Sequence, residues 1–131
     1  MTDAINTSVS KLQVDENGIV HMEFPEKNQP ILLEDSKGIY EGRMQLQSAA
    51  GSKQLLLVDL RTSPKPDREA RDYARSSEVV ESTMAMAILV QGPMSKVLGN
   101  FFMGFNRGDF PVRLFTDKSI AIDWLVDQKQ P

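Results

Sequence analysis

The sequence predicts an α/β domain in which helices pack on a mostly parallel sheet, entered through an N-terminal β-hairpin. Three observations predict it. From residue 54 onward, apolar strand-like runs alternate with helix-like runs three times, giving the order βαβαβα. Two of the strand-like runs, around Leu55–Leu60 and Met84–Val90, are nearly continuous in apolar residues, as in strands buried on both faces. Two earlier runs flank Asn17-Gly18, a pair that supplies the positive φ of a hairpin turn.

Residues 1–8 are polar and are expected to fray. Residues 9–14 and 19–24 then form the hairpin. In the second strand Val20, Met22 and Phe24 alternate with Ile19, His21 and Glu23, the pattern of a half-solvated strand. A loop over 25–30 leads to a short extended entry at 31–33. The first helix is predicted over 35–47, with Ile39, Tyr40, Met44 and Leu46 inward; Gly38 and Gly42 each weaken it by up to about 1 kcal/mol. Residues 54–60 make the next strand. Asp67 follows Pro66 as an N-cap, and Ala70, Tyr73, Ala74 and Ser77 recur at helical spacing over 67–77.

A further strand covers 83–90. After Gln91-Gly92-Pro93 a helix is expected over 93–106, with Met94, Val97, Leu98, Phe101, Phe102 and Phe105 on one face and Met103 on the other. Residues 111–115 form the last strand. Thr116 is the expected cap of a helix over 117–128, whose inward face is Ile120, Ala121, Trp124 and Leu125.

The 131 residues suit one domain with a proper core, and 40% hydrophobic against 25% charged residues is a globular balance. No apolar run approaches the roughly 20 residues of a membrane span, and residues 1–10 lack the pattern of a secretory signal. The chain has no cysteine, which excludes disulfides, thiolate metal sites and cysteine nucleophiles and fits a cytoplasmic setting. The net charge is −3, and Asp67, Glu69 and Asp72 interrupt the densest basic stretch, 61–75. A nucleic-acid partner is therefore not expected.

Candidate chemistry is sparse. His21 is the lone histidine and reads as an exposed mid-strand residue, away from the strand ends where sites collect. Asp15-Glu16 and Glu34-Asp35 are too local to form a metal site, so neither metal nor cofactor is expected. Asp59 sits near the carboxyl end of an apolar strand and is followed by Arg61, Thr62 and Ser63. It reads either as a loop tie through backbone amides or as part of a ligand or phosphorylation loop. Gln91, Met94 and Ser95 mark a strand-to-helix turn whose amides could meet an anion, though a plain tight turn is the simpler reading. Met103, Ile122 and Val126 are apolar and turned away from the predicted core faces, so they form the expected contact surface of a homodimer or partner complex.

Together, 18–24, Leu57-Val58-Asp59-Leu60-Arg61, 68–73, Gly99-Asn100-Phe101-Phe102 and 110–116 resemble a family of small bacterial STAS-like domains related in fold to SpoIIAA-type anti-sigma-factor antagonists. The resemblance spans about 9–125. It implies a mixed sheet that begins with a strand pair and carries its helices on one side. SpoIIAA-type proteins place a phosphorylatable serine after a central strand in an Asp-Ser-Ser-Gly or Asp-Ser-Thr-Gly setting. Here 59–64 read Asp-Leu-Arg-Thr-Ser-Pro, with the register changed and the glycine missing. The expected function is a non-enzymatic interaction domain working through protein contact. The alternative is a carrier or sensor of a small apolar or anionic ligand.

Overall fold

The computed structural model describes residues 1–46, 53–92 and 109–129. The predicted helix over 93–106, with its Phe101, Phe102 and Phe105 stripe, lies outside the described residues, as do Met94, Ser95 and Met103.

The chain opens with β1 (Ile5–Asn6), β2 (Lys11–Val14) and β3 (Ile19–Glu23), which pair antiparallel in succession. Residues 1–8 do not simply fray. Ile5 and Asn6 stand opposite Leu12 and Lys11, and the Thr2 amide donates to the Val14 carbonyl at 2.9 Å. Gly18, at φ +81°, closes the β2–β3 hairpin, and its amide donates to the Asp15 carbonyl.

Then follow β4 (Pro30–Ile31), α1 (Leu33–Leu46), β5 (Gln54–Asp59), β6 (Lys65–Pro66), α2 (Arg68–Tyr73), α3 (Ser77–Glu81), β7 (Thr83–Leu89), β8 (Val112–Phe115) and α4 (Lys118–Asp127). The main sheet runs β1-β2-β3-β5-β7-β8, and β3, β5, β7 and β8 are parallel. β4 and β6 form a separate parallel pair. The mixed sheet with an N-terminal antiparallel entry is the predicted architecture, but the helices are not confined to one side: α4 packs on the face opposite α1 and α2.

Pleating divides the buried side chains into two layers. Leu12, Val20, Met22, Leu56, Val58 and Ile88 point to one face, where Ile39 of α1 and Ala70 of α2 meet them. Ile19, Leu55, Leu57, Ala85, Ala87 and Leu89 point to the other, under Ala121 and Leu125 of α4. Because both faces are covered, β5 and β7 carry unbroken apolar runs rather than alternating ones. Gly42 marks a close helix–sheet approach: a Cβ there would stand 2.8 Å from the Leu12 side chain. The same glycine that weakens α1 locally lets it lie against β2.

Three local expectations are corrected. The helix predicted over 67–77 stops at Tyr73, and a second short helix begins at Ser77 and runs beyond the predicted end. Arg75 and Ser76 donate to the Asp72 and Tyr73 carbonyls in tight i→i+3 bonds, and Ser76 turns extended at ψ 155° before α3 begins. Asp67 caps α2 as predicted, accepting from the Ala70 amide at 2.9 Å. The last helix is capped by Asp117 rather than Thr116, its carboxylate accepting from the Ser119 and Ile120 amides. Its face is also turned: Ile120 is 56% exposed, whereas Ile122 and Val126, read as outward, pack partly against the core beside Trp124.

Candidate functional site

β3, β5, β7 and β8 all end on the same edge of the sheet, and the loop after β5 lies there. The Asp59 carboxylate accepts from the Arg61 amide and Nε at 3.0 Å each and from Nη2 at 2.8 Å. Burial opposes the charge on Asp59, but the Arg61 hydrogen bonds, with the charges of Arg61 and Lys118, outweigh it and hold the carboxyl below its usual range. Arg61 itself is exposed. The Thr62 hydroxyl donates to the Phe24 carbonyl at 2.7 Å, and Ser63 sits at φ 56° with its amide bonded to the Leu60 carbonyl.

The structure therefore brings Asp59, Arg61, Thr62 and Ser63 together as a tied loop. Its hydroxyl at Thr62 is engaged with the end of β3. Gln91 is exposed just past β7, next to Gly92 at φ +77°.

His21 is not exposed. It is 7% accessible, and its Nε2 lies 2.7 Å from Asp15 Oδ2 across the hairpin. β3 is an interior strand with β2 and β5 on either side, and the face expected to meet solvent is covered. Asp15 also accepts from the Asn17 and Ile19 amides. These bonds overcome the cost of burial and lower its pKa. Among the described residues, no three histidine or acidic side chains group in a way that could hold a metal ion. No described helix is long and apolar enough to cross a membrane.

The second feature was not predicted. A cavity of about 120 Å³ lies between the first sheet face and α1, α2 and α3. Met22, Leu56 and Ile88 form its floor; Ile39, Ala70 and Val79 are among its walls. Two causes leave this space. α2 and α3 have only six and five residues, and the small side chains Ala70 and Ala74 face the gap between them and the sheet. An apolar cavity of this size costs packing contacts that a filled core would keep.

Tyr40, Tyr73 and Arg43 also line the cavity. The two rings meet edge to face with centroids 6.5 Å apart. The Tyr73 hydroxyl donates to Glu78 at 2.9 Å; burial and this carboxylate push its pKa up to about 12. Arg43 is 2% exposed and carries no carboxylate partner among the described residues. Its Nε donates to Gln54 Oε1 at 2.8 Å, and its Nη2 to the Ser82 carbonyl and hydroxyl and the Thr83 hydroxyl at 3.2, 3.1 and 3.4 Å. Burial pushes its pKa down to about 10, so it remains a cation at neutral pH. The signal for Arg43 was its spacing: it lies one helical turn after Ile39, on the same inward face.

Comparison with known proteins agrees with this architecture. The chain is similar to a crystal structure of an uncharacterized protein of the DUF3478 family, with a SpoIIAA-like fold, from Shewanella loihica. The identity is 16%, 95% of this chain and 98% of that one are covered, and the TM-score is 0.65. No curated protein matches significantly. A domain family of unknown function, DUF7793, matches residues 12–129. With its SpoIIAA-like sheet, the chain belongs to that domain family of unknown function.

Proposed function

We propose that the chain is a non-enzymatic binding module whose ligand is a small apolar molecule held between the sheet and α1, α2 and α3. The cavity carries this reading. Its volume of about 120 Å³ is close to that of a dry engineered cavity of about 150 Å³ known to admit benzene. Its lining is dominated by aliphatic and aromatic side chains. The reading against catalysis rests on His21, which is committed to Asp15 in mid-strand rather than standing at a strand end.

The test is binding of benzene, toluene and indole, followed by thermal shift and by NMR of the methyl groups of Met22 and Ile88. At 100 times its dissociation constant a ligand adds about 2.7 kcal/mol of stability. Saturable shifts confined to the cavity methyls are expected. No binding at millimolar probe would end the reading.

A second reading is a protein-contact module centred on residues 59–63, and one observation favours it. Arg61 is exposed yet held in a fixed fork by Asp59, so a charged contact there is already organised. Whether such a partner is a second copy is decided by sedimentation of the purified chain across concentrations.

A further inference from the structure

We propose that the ligand of the cavity carries a carboxylate head that meets the Arg43 guanidinium, so that the site selects small monocarboxylic acids over neutral molecules of the same shape. The inference rests on the cavity reading above and names its substrate class.

Arg43 is a buried cation that lines an apolar cavity and is surrounded by neutral acceptors. Gln54, Ser82 and Thr83 supply oxygens to Nε and Nη2, and no described hydrogen bond uses Nη1. Arginine has five donors, and Nη1 carries two of them. The Tyr40 ring, 5.9 Å from the guanidinium carbon, adds a weak attraction but no counter-charge. Glu78, the acid beside the cavity tyrosines, is bonded to the Tyr73 hydroxyl. A buried charge that the described residues compensate only with dipoles is costly, and an anion arriving from the cavity would offset that cost.

The number of open donors limits the anion. Among the described residues the Nε–Nη2 edge is already occupied, which leaves one guanidinium nitrogen. That suits one carboxylate oxygen in a charge-assisted bond and gives a dianionic phosphate too few donors. The apolar space limits the body to about one aromatic ring or a branched chain of about four to six carbons.

The experiment compares phenylacetate with phenylacetamide, its neutral analogue of matching shape, by calorimetric titration at pH 7 on the full chain, with toluene as a body-only probe. Phenylacetate is expected to bind at least about tenfold more tightly than the amide, since a hydrogen bond to a charged group is worth that much or more. In Arg43→Gln the two are expected to bind within about twofold of each other, because the remaining amide side chain favours neither strongly. Equal affinity of acid and amide for the unaltered chain overturns the carboxylate inference, while toluene binding leaves the cavity reading standing. Failure of all three probes ends both. If Arg43→Gln does not fold by circular dichroism, the acid-to-amide ratio of the unaltered chain decides alone.

Discussion

The two faces of one sheet are built differently. Under α4 the sheet presents Ala85 and Ala87, each 0% exposed, and the helix answers with Ala121, also 0% exposed. Small side chains on both sides let helix and sheet come close, and Phe115 and Trp124 pack beside them with ring centroids 5.6 Å apart. The sheet presents large residues on both faces, Leu55, Leu57 and Leu89 under α4 and Met22, Leu56 and Ile88 under α1, α2 and α3, yet a cavity remains on the second. Size of side chain does not set the difference; the 14-residue α1 covers part of the cavity face, but the rest of its cover is broken. α4 crosses its face as one ten-residue helix, whereas α2 and α3 are separated by a tight turn.

The cavity face also holds a charge, and removing its support should have the largest effect. Gln54 accepts from Arg43 Nε and donates from its own Nε2 to the Arg43 carbonyl at 2.9 Å. Gln54→Leu removes both bonds and leaves a buried guanidinium donor unmatched. The expected loss is about 3 kcal/mol in urea denaturation. A loss under about 1 kcal/mol would mean that Arg43 reorients at little cost, and the contrast between the charged cavity face and the apolar face under α4 would weaken.

Enlarging one alanine on each face sharpens the comparison. Ala87→Leu forces extra atoms into the layer under α4 and should cost about 1–3 kcal/mol. Ala70→Leu, on α2, extends into the cavity, so its stability should stay within about 1 kcal/mol of the parent while toluene binding disappears. Equal penalties at the two positions would show that the two faces are packed alike.

How legible this was in the sequence depended on what kind of contact each residue makes. β5 and β7 could be read because burial on both faces leaves a run with no alternation, and few other settings produce one. β1, β4 and β6 have two residues each, too few for a period, and backbone pairing is what defines them. The inward face of α4 was misjudged because Ile120, Ile122, Trp124 and Val126 make the helix apolar nearly all round. Its phase is fixed by Asp117 capping and by the fit of Ala121 and Leu125, which hydrophobicity does not encode. His21 was misplaced because alternation was taken as solvation. The usable clue was Asp15, six residues earlier and across the hairpin. The cavity itself left no local mark, since it follows from where two helices break.

Acid titration tests the Asp15–His21 contact. The Asp15 carboxyl has a lowered pKa in the folded chain, so it binds protons less readily there than in the unfolded chain. Its contribution is therefore complete above the unfolded value of 3.8 and is lost as pH falls through the folded value. Asp15→Asn removes the charge that His21 and two amides share. It should lower stability at pH 7 by about 1–2 kcal/mol and flatten the acid limb of the stability curve. An unchanged acid limb would show that the hairpin does not depend on the ionised carboxylate.

Arg61→Ala should have the smallest effect on stability and the most informative one on function. The Asp59–Arg61 pair has bidentate geometry, but the Arg61 side chain is 43% exposed, so solvent screens it and its worth is at most about 1 kcal/mol. Asp59 keeps the Arg61 backbone amide as a donor in the variant, so the loop should stay tied. Fold and toluene affinity should therefore both survive, because Leu60 and Pro64 on either side of the loop line the cavity but Arg61 itself does not. If toluene binding falls with Arg61→Ala, the strand-end loop and the cavity are coupled, and the division between a ligand-holding face and a charged edge no longer stands. If toluene binding holds but a partner isolated with the parent chain is lost, the edge is a separate contact surface, and the two readings of function describe two sites on one sheet.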